Sequence, residues 1–177
     1  MDGKGKRGWW VLPLVAGIVM ALDQWTKRLV ETNLGLYESW TPIPALKGWF
    51  EFHYITNTGA AFGLFQNGNL FFIGVAIVVT IVVLFYYWHL PGGEWLLRLG
   101  LGLQLGGALG NLIDRLRVGN VIDFIHVRYW FVFNVADASL VVGVALMALL
   151  LLRQDFEERR AESRGEGTEE AGEPASG

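Results

Sequence analysis

The sequence predicts an integral membrane protein with an all-α core, in which four transmembrane helices carry a small sheet outside the bilayer. Three observations point there. Hydrophobic residues make up 53% of the 177, and the mean hydropathy of +0.37 is high for a soluble domain. Long apolar stretches recur along the chain, and residues 70–88 contain no charge over a length that matches bilayer hydrocarbon. Between two of those stretches, Phe50, Phe52 and Tyr54 alternate with other residues at the two-residue period of a strand.

The first helix covers about residues 9–26. It follows the basic residues Lys4, Lys6 and Arg7, a pattern shared with signal-peptide cores, yet no small-residue cleavage site leads into a polar mature start. Pro42 and Pro44 break the next segment, and residues about 40–65 read as the sheet, with Trp40 and Trp49 suited to the membrane interface. Asn57-Thr58-Gly59-Ala60-Ala61-Phe62-Gly63 then turns the chain. The second helix covers about 70–88, and Pro91-Gly92-Gly93 closes it. In the third, about 95–114, Gly102, Gly106 and Gly110 recur every four residues and form a face that another helix can approach closely. The fourth, about 134–153, starts at Asn134 as N-cap, with Asp137 in the capping-box position. Residues 1–154 therefore form one membrane domain. Residues 155–177, rich in Glu, Gly, Ala and Ser, are expected to be a disordered acidic tail.

Composition narrows the chemistry. The net charge of −3 gives no basic surface for nucleic acid, and without cysteine there is no disulfide, thiol nucleophile or thiolate site. His53, His89 and His126 lack metal-ligand spacing, so no metal is expected. Four spans put Asp23, Lys27, Asn57, Asn111, Asp114, Arg115, Asp123, Asn134 and Asp137 at one end of the bundle. The Lys and Arg distribution then sets both termini in the cytoplasm and this polar end near the outer face. An ionisable group in an apolar run costs roughly 2.5–3.5 kcal/mol at membrane depth, so Asp123 and Asp137 require a function. Two neighbouring aspartates can share one proton, one activating water while the other protonates a carbonyl oxygen, which suits amide hydrolysis. A helix N-terminus favours the charged form of Asp137 and makes it the choice for initial base, but a coupled pair titrates as a unit and leaves open which aspartate acts first.

Structural readings stand beside these. Asp137 can be an ordinary first-turn residue, Asp114-Arg115 an interfacial ion pair, and Asn111 an interhelical hydrogen-bonder. Asp23 and Lys27 have the i,i+4 spacing of a helical salt bridge, and the structural role is preferred for them. A proton-coupled transporter would carry its acids near the bilayer midplane, and a scaffold gives no reason for Asp123.

Five runs carry a resemblance: Asp23-Gln24-x-x-Lys27, Asn57-Thr58-Gly59-Ala60-Ala61-Phe62, the stretch from Gly106-Gly107 through Asn111 to Asp114-Arg115, Gly119-Asn120-Val121-Ile122-Asp123-Phe124, and Phe133-Asn134-Val135-Ala136-Asp137. In kind and order they resemble bacterial lipoprotein signal peptidase (signal peptidase II, prolipoprotein signal peptidase), a family of integral-membrane aspartyl proteases. The resemblance implies four transmembrane helices, an extramembrane β-cradle from residues 40–65, and catalytic Asp123 and Asp137. It further implies that Asn57, Gly107, Asn111, Arg115 and Asn134 line or orient the substrate site and that Asp23 and Lys27 shape it. By the same likeness the substrate is a prolipoprotein, cut before a diacylglyceryl-modified cysteine in the bacterial inner membrane. No metal or organic cofactor is implied, membrane lipids are partners, and a monomer is expected. Trp40, Trp49, Phe62 and Phe65 are candidates to clamp the peptide.

Overall fold

The computed structural model describes residues 8–59, 68–91 and 94–169, with side chains as far as residue 161. Helices and strands follow in the order α1 (Val11–Asn33), β1 (Ser39–Trp40), β2 (Phe50–Asn57), α2 (Asn69–His89), α3 (Trp95–Val118), β3 (Val121–Val127) and α4 (Val135–Glu169). Among the described residues α2, α3 and the part of α4 from Val135–Ala161 are long and apolar enough to cross a membrane. α1 carries Asp23, Lys27, Arg28 and Glu31 and is less apolar.

α3 is the central helix, packed against each of the other three. Within a bilayer, helices gain nothing by hiding apolar surface from lipid tails, so close backbone approach has to supply the association. The predicted glycine face does this. A Cβ on Gly102 would lie 2.9 Å from Val15 Cβ, and one on Gly106 would lie 2.7 Å from Val19 Cβ and 2.8 Å from the Ala16 carbonyl oxygen. α1 therefore rests directly on α3. A second set faces α4, where a Cβ on Gly143 would sit 2.8 Å from the Gly100 carbonyl oxygen and one on Gly107 would overlap the Ala136 carbonyl.

The sheet has the order β1-β2-β3, all antiparallel, with Ser39 opposite His53 and register pairs from Phe50 and Val127 to Asn57 and Val121. Its third strand corrects the expectation that residues 40–65 alone supply the sheet. Val121 to Val127 is a β-branched and aromatic run, and Gly119 at φ +80° ends α3 in the left-handed conformation that turns the chain into it. Val30, Ile122 and Phe124, with Phe52, Tyr54 and Val135 around them, seat the sheet on the end of α1. Trp40 stacks on Phe52 at 5.8 Å, and the Arg128 guanidinium covers Trp49 at 4.6 Å.

Helix ends also differ from expectation. α1 continues past residue 26 to Asn33 and α3 past 114 to Val118. α4 does not stop at Arg153 but runs helically to Glu169, supported by the i,i+4 pairs Arg153–Glu157 (2.8 Å) and Arg159–Asp155 (2.9 Å). Lys4, Lys6, Arg7, the Ala60-to-Gly63 part of the expected turn, Phe62, Phe65 and residues 170–177 lie outside the described residues.

Substituting Gly106→Ala should destabilise the protein by about 1–3 kcal/mol, because the α1–α3 interface has no room for a methyl group. Thermal unfolding in detergent checks this, with Gly74→Ala as control. Gly74 has nothing within 4 Å of a built Cβ, and its substitution should leave stability unchanged or raised.

Candidate active site

The polar residues predicted to share one end of the bundle do converge, and five elements, α1, β2, α3, β3 and the start of α4, bring them together. Asp137 stands in the first turn of α4. Its Oδ2 accepts the Asn134 backbone N–H at 3.2 Å, while Asn134 Oδ1 accepts the Asp137 N–H at 2.9 Å. This is the reciprocal capping box that the sequence suggests, so the Asp137 backbone is set by helix initiation itself. Asn111 Nδ2, from α3, donates to the other oxygen at 2.8 Å.

Asp123 comes from β3 and is buried at 1% exposure. Asn134 Nδ2 donates to its Oδ1 at 2.7 Å and Asn57 Nδ2 to its Oδ2 at 3.0 Å. Asn57 reaches across because the register sets it opposite Val121, two residues along β3 from Asp123. Asn57 Oδ1 in turn accepts the Gly59 N–H at 3.0 Å, which ties the turn after β2 to the site. One asparagine, Asn134, thus joins both aspartates. Burial, then the charge of Asp137, pushes the Asp123 carboxyl up to about 7, against the opposing pull of the Asn57 and Asn134 amides.

Beneath the pair lies a buried ion cluster. The Lys27 ammonium contacts Asp23 Oδ2 at 2.8 Å, Asp114 Oδ2 at 2.7 Å and Asn111 Oδ1 at 3.1 Å, which fills its three donors. Asp23, Lys27 and Asp114 are all 0% exposed. The predicted Asp23–Lys27 salt bridge is present, but the suggested Asp114–Arg115 pair is not how Asp114 is used. Asp114 faces inward to Lys27 and also accepts Gln24 Nε2 at 2.9 Å. Each carboxylate also grips main chain. Asp23 Oδ1 accepts the Ala136 N–H at 2.9 Å and Asp114 Oδ2 the Ile122 N–H at 3.2 Å.

Ala136 and Ile122 are the residues immediately before Asp137 and Asp123. The Ile122 carbonyl is held too, by Asn134 Nδ2 at 3.2 Å. Further along β3, Ile125 exchanges backbone hydrogen bonds with Phe133 at 2.8 and 3.1 Å.

The remaining candidates divide. Arg115 is half-buried, with its guanidinium 5.0 Å over the Phe72 ring and within the fields of Asp137, Asp123 and Asp114. Gly107 has a packing duty, since it admits Ala136 and Leu140 of α4 and so sets how closely Asp137 approaches α3. Gln24 and Asp114 were not assigned to the site from sequence. Gln24 bonds the Gly110 carbonyl (3.1 Å) as well as Asp114, and its place beside Asp23 in the Asp-Gln-x-x-Lys run was the available signal. Among the described residues there is no cluster of three or more His, Cys, Asp or Glu able to hold a metal. His53 and His126 instead bond Ser39 (2.8 Å) and Glu51 (3.0 Å) on the sheet.

The family model described as signal peptidase (SPase) II matches residues 15–153. The chain belongs to the signal peptidase II family. It is 46% identical over 147 residues to the lipoprotein signal peptidase of Moorella thermoacetica, covering 83% of this chain and 96% of that one. The lipoprotein signal peptidase of Desulfitobacterium hafniense strain DSM 10664 / DCB-2 is 43% identical over 150 residues, covering 84% and 97%. Of solved structures, a bacterial membrane enzyme determined by the in meso method at 2.3 Å resolution superposes with a TM-score of 0.79 at 30% identity, covering 87% of this chain and 94% of that one. The match to signal peptidase II takes in every residue of the capping box, the ion cluster and the aspartate pair.

Replacing Lys27→Met should cost about 3–5 kcal/mol, because Asp23 and Asp114 are then left buried without their cation. Adding Asp114→Asn should recover part of that loss by removing one uncompensated charge. Thermal unfolding of both variants in detergent checks the sign and the order.

Proposed function

We propose that the chain is a membrane-embedded aspartyl endopeptidase that removes signal peptides from prolipoproteins, cutting the amide bond before a diacylglyceryl-modified cysteine. The single observation that carries the aspartyl chemistry is the pair itself. Two carboxylates from different elements are joined through Asn134, and one of them holds its proton to about pH 7. Family membership and relatives named lipoprotein signal peptidase support the substrate.

In this reading Asp137 is the base. It stands at a helix N-terminus and accepts two N–H bonds, an environment that suits a carboxylate. It takes a proton from a water whose oxygen attacks the scissile carbonyl carbon, while protonated Asp123 gives its proton to the carbonyl oxygen. When the tetrahedral intermediate collapses, Asp137 returns its proton to the departing nitrogen and Asp123 recovers one from the hydroxyl. Asn57, Asn111 and Asn134 hold the carboxyl groups in these roles, Asp23 and Lys27 fix the backbone beneath them, and Gly107 sets the spacing of α4. Arg115 orients the substrate. No metal or cofactor takes part.

α1 serves as a fourth span in this reading. Asp23 and Lys27 neutralise one another out of contact with lipid, which removes the main objection to its crossing. Both termini are then cytoplasmic, and the aspartates lie near the outer face, where a cysteine can leave its acyl chains in the bilayer while its amide enters the site. The enzyme works as a monomer in contact with membrane lipids.

Asp123→Asn and Asp137→Asn should each lower cleavage of a diacylglyceryl-modified prolipoprotein by more than roughly a hundredfold with the fold intact. Gel-shift assays and circular dichroism test this, and near-normal turnover by either folded variant would eliminate the pair.

The working form needs the proton on Asp123, so kcat/KM in the free enzyme should fall as pH rises through about 7. The same group makes a stability prediction. Its folded value lies above its ordinary 3.8, so the contribution is fully present below 3.8 and is lost as pH rises through about 7. Asp123→Asn should flatten that part of the melting temperature profile.

A further inference from the structure

The end of the bundle away from the aspartates holds another buried charge, one that the cleavage chemistry leaves unused. Arg98, in the first turn of α3, is 0% exposed. Helical side chains lean toward the helix N-terminus, and this one reaches back so that Nη2 donates to the carbonyls of Leu90 (3.3 Å) and Pro91 (3.0 Å), just beyond α2. Those bonds close the α2–α3 connection. They do not neutralise the charge. Among the described residues Nε and Nη1 are buried without a hydrogen-bond partner, and no ion pair includes Arg98.

Two further features mark the same place. Nη1 lies toward Gly8, where a built Cβ would be 3.7 Å away, and the next residue, Trp9, presents a second buried donor without a partner, its Nε1. The N-cap of α3, Glu94, makes no side-chain capping bond, so the positive end of that helix adds to the guanidinium. Donors without acceptors call for an anion. Nε–H and Nη1 lie on opposite sides of the guanidinium, so an anion there would be drawn by the uncompensated charge and would meet one free N–H at a time. Trp10, Trp88 and Trp95 stand exposed around this end at 65%, 64% and 56%, the position of an aromatic belt at headgroup depth.

We propose that Arg98, with Trp9 and the N-terminus of α3, forms a site for the phosphodiester of an anionic phospholipid headgroup. The site rests on the bundle's crossing a membrane and is independent of the aspartate pair. Such a headgroup supplies a net negative charge, which a zwitterionic lipid does not, and it lies at the depth that the tryptophans mark.

The test is thermal unfolding of delipidated, full-length enzyme in detergent, with phosphatidylglycerol or phosphatidylcholine added to the micelles. Phosphatidylglycerol should raise the melting temperature by about 4 °C more than phosphatidylcholine does. Arg98→Met should abolish that difference, each lipid response being read against the variant's own lipid-free melting temperature, because the substitution also removes the bonds to the Leu90 and Pro91 carbonyls. Should Arg98→Met fail to fold, Arg98→Lys serves, and native mass spectrometry should find it retaining several-fold less phosphatidylglycerol than the parent. Equal responses to the two lipids, or a phosphatidylglycerol response that survives both substitutions, would overturn the site.

Discussion

One ammonium group organises this molecule. Lys27 reaches between α1 and α3 to hold Asp23 and Asp114, and each of those carboxylates holds the peptide N–H just ahead of an aspartate in the pair. The arrangement solves a problem of rigidity. β3 and α4 each bring one aspartate, and neither belongs to the helix that carries the cation. Through two backbone bonds the cluster fixes where both begin, so the aspartates inherit their spacing from a buried ionic lattice. Ionic contacts of this kind stabilise weakly relative to apolar packing but penalise misplacement heavily, because any slip strands a charge. Lys27 therefore acts on the geometry of the site more than on the net stability of the fold.

The asparagines complete this arrangement by a different route. A primary amide both donates and accepts, so Asn134 can accept the N–H of Asp137 while donating to Asp123. Asn111 similarly accepts from Lys27 while donating to Asp137. The buried charge and the aspartates thus form one continuous network in which every bond restricts the next. Asp123 is buried within it, and its raised affinity for protons follows first from that burial and then from the charge of Asp137.

What could be read from the sequence was what the chain encodes locally. The Asn134–Asp137 box, the Asp23–Lys27 pair and the Gly102-Gly106-Gly110 face all lie within one or two helical turns, where spacing alone dictates contact. Asp114's partner could not be read this way, because Lys27 is distant in sequence and Arg115, its neighbour, drew the pairing instead. β3 was missed for a related reason. An aspartate in an apolar run suggests membrane depth, and that inference hid a β-branched run that is equally good as a strand. The far end of α4 was misjudged because its composition is poor for burial, whereas its alternating charges suffice for a solvated helix.

The outer margin of β3 gives the substrate a definite constraint. A sheet edge normally offers its free N–H and carbonyl groups to any extended chain. Here the Ile122 N–H goes to Asp114, the Ile122 carbonyl to Asn134, and both backbone groups of Ile125 to Phe133. At Ile122 and Ile125 the groups that would greet a fourth strand are already occupied by the protein itself. In the proposed reaction a peptide arriving at Asp123 is therefore denied zipper-like registration at these two positions, and side chains and lipid take over the task of holding it.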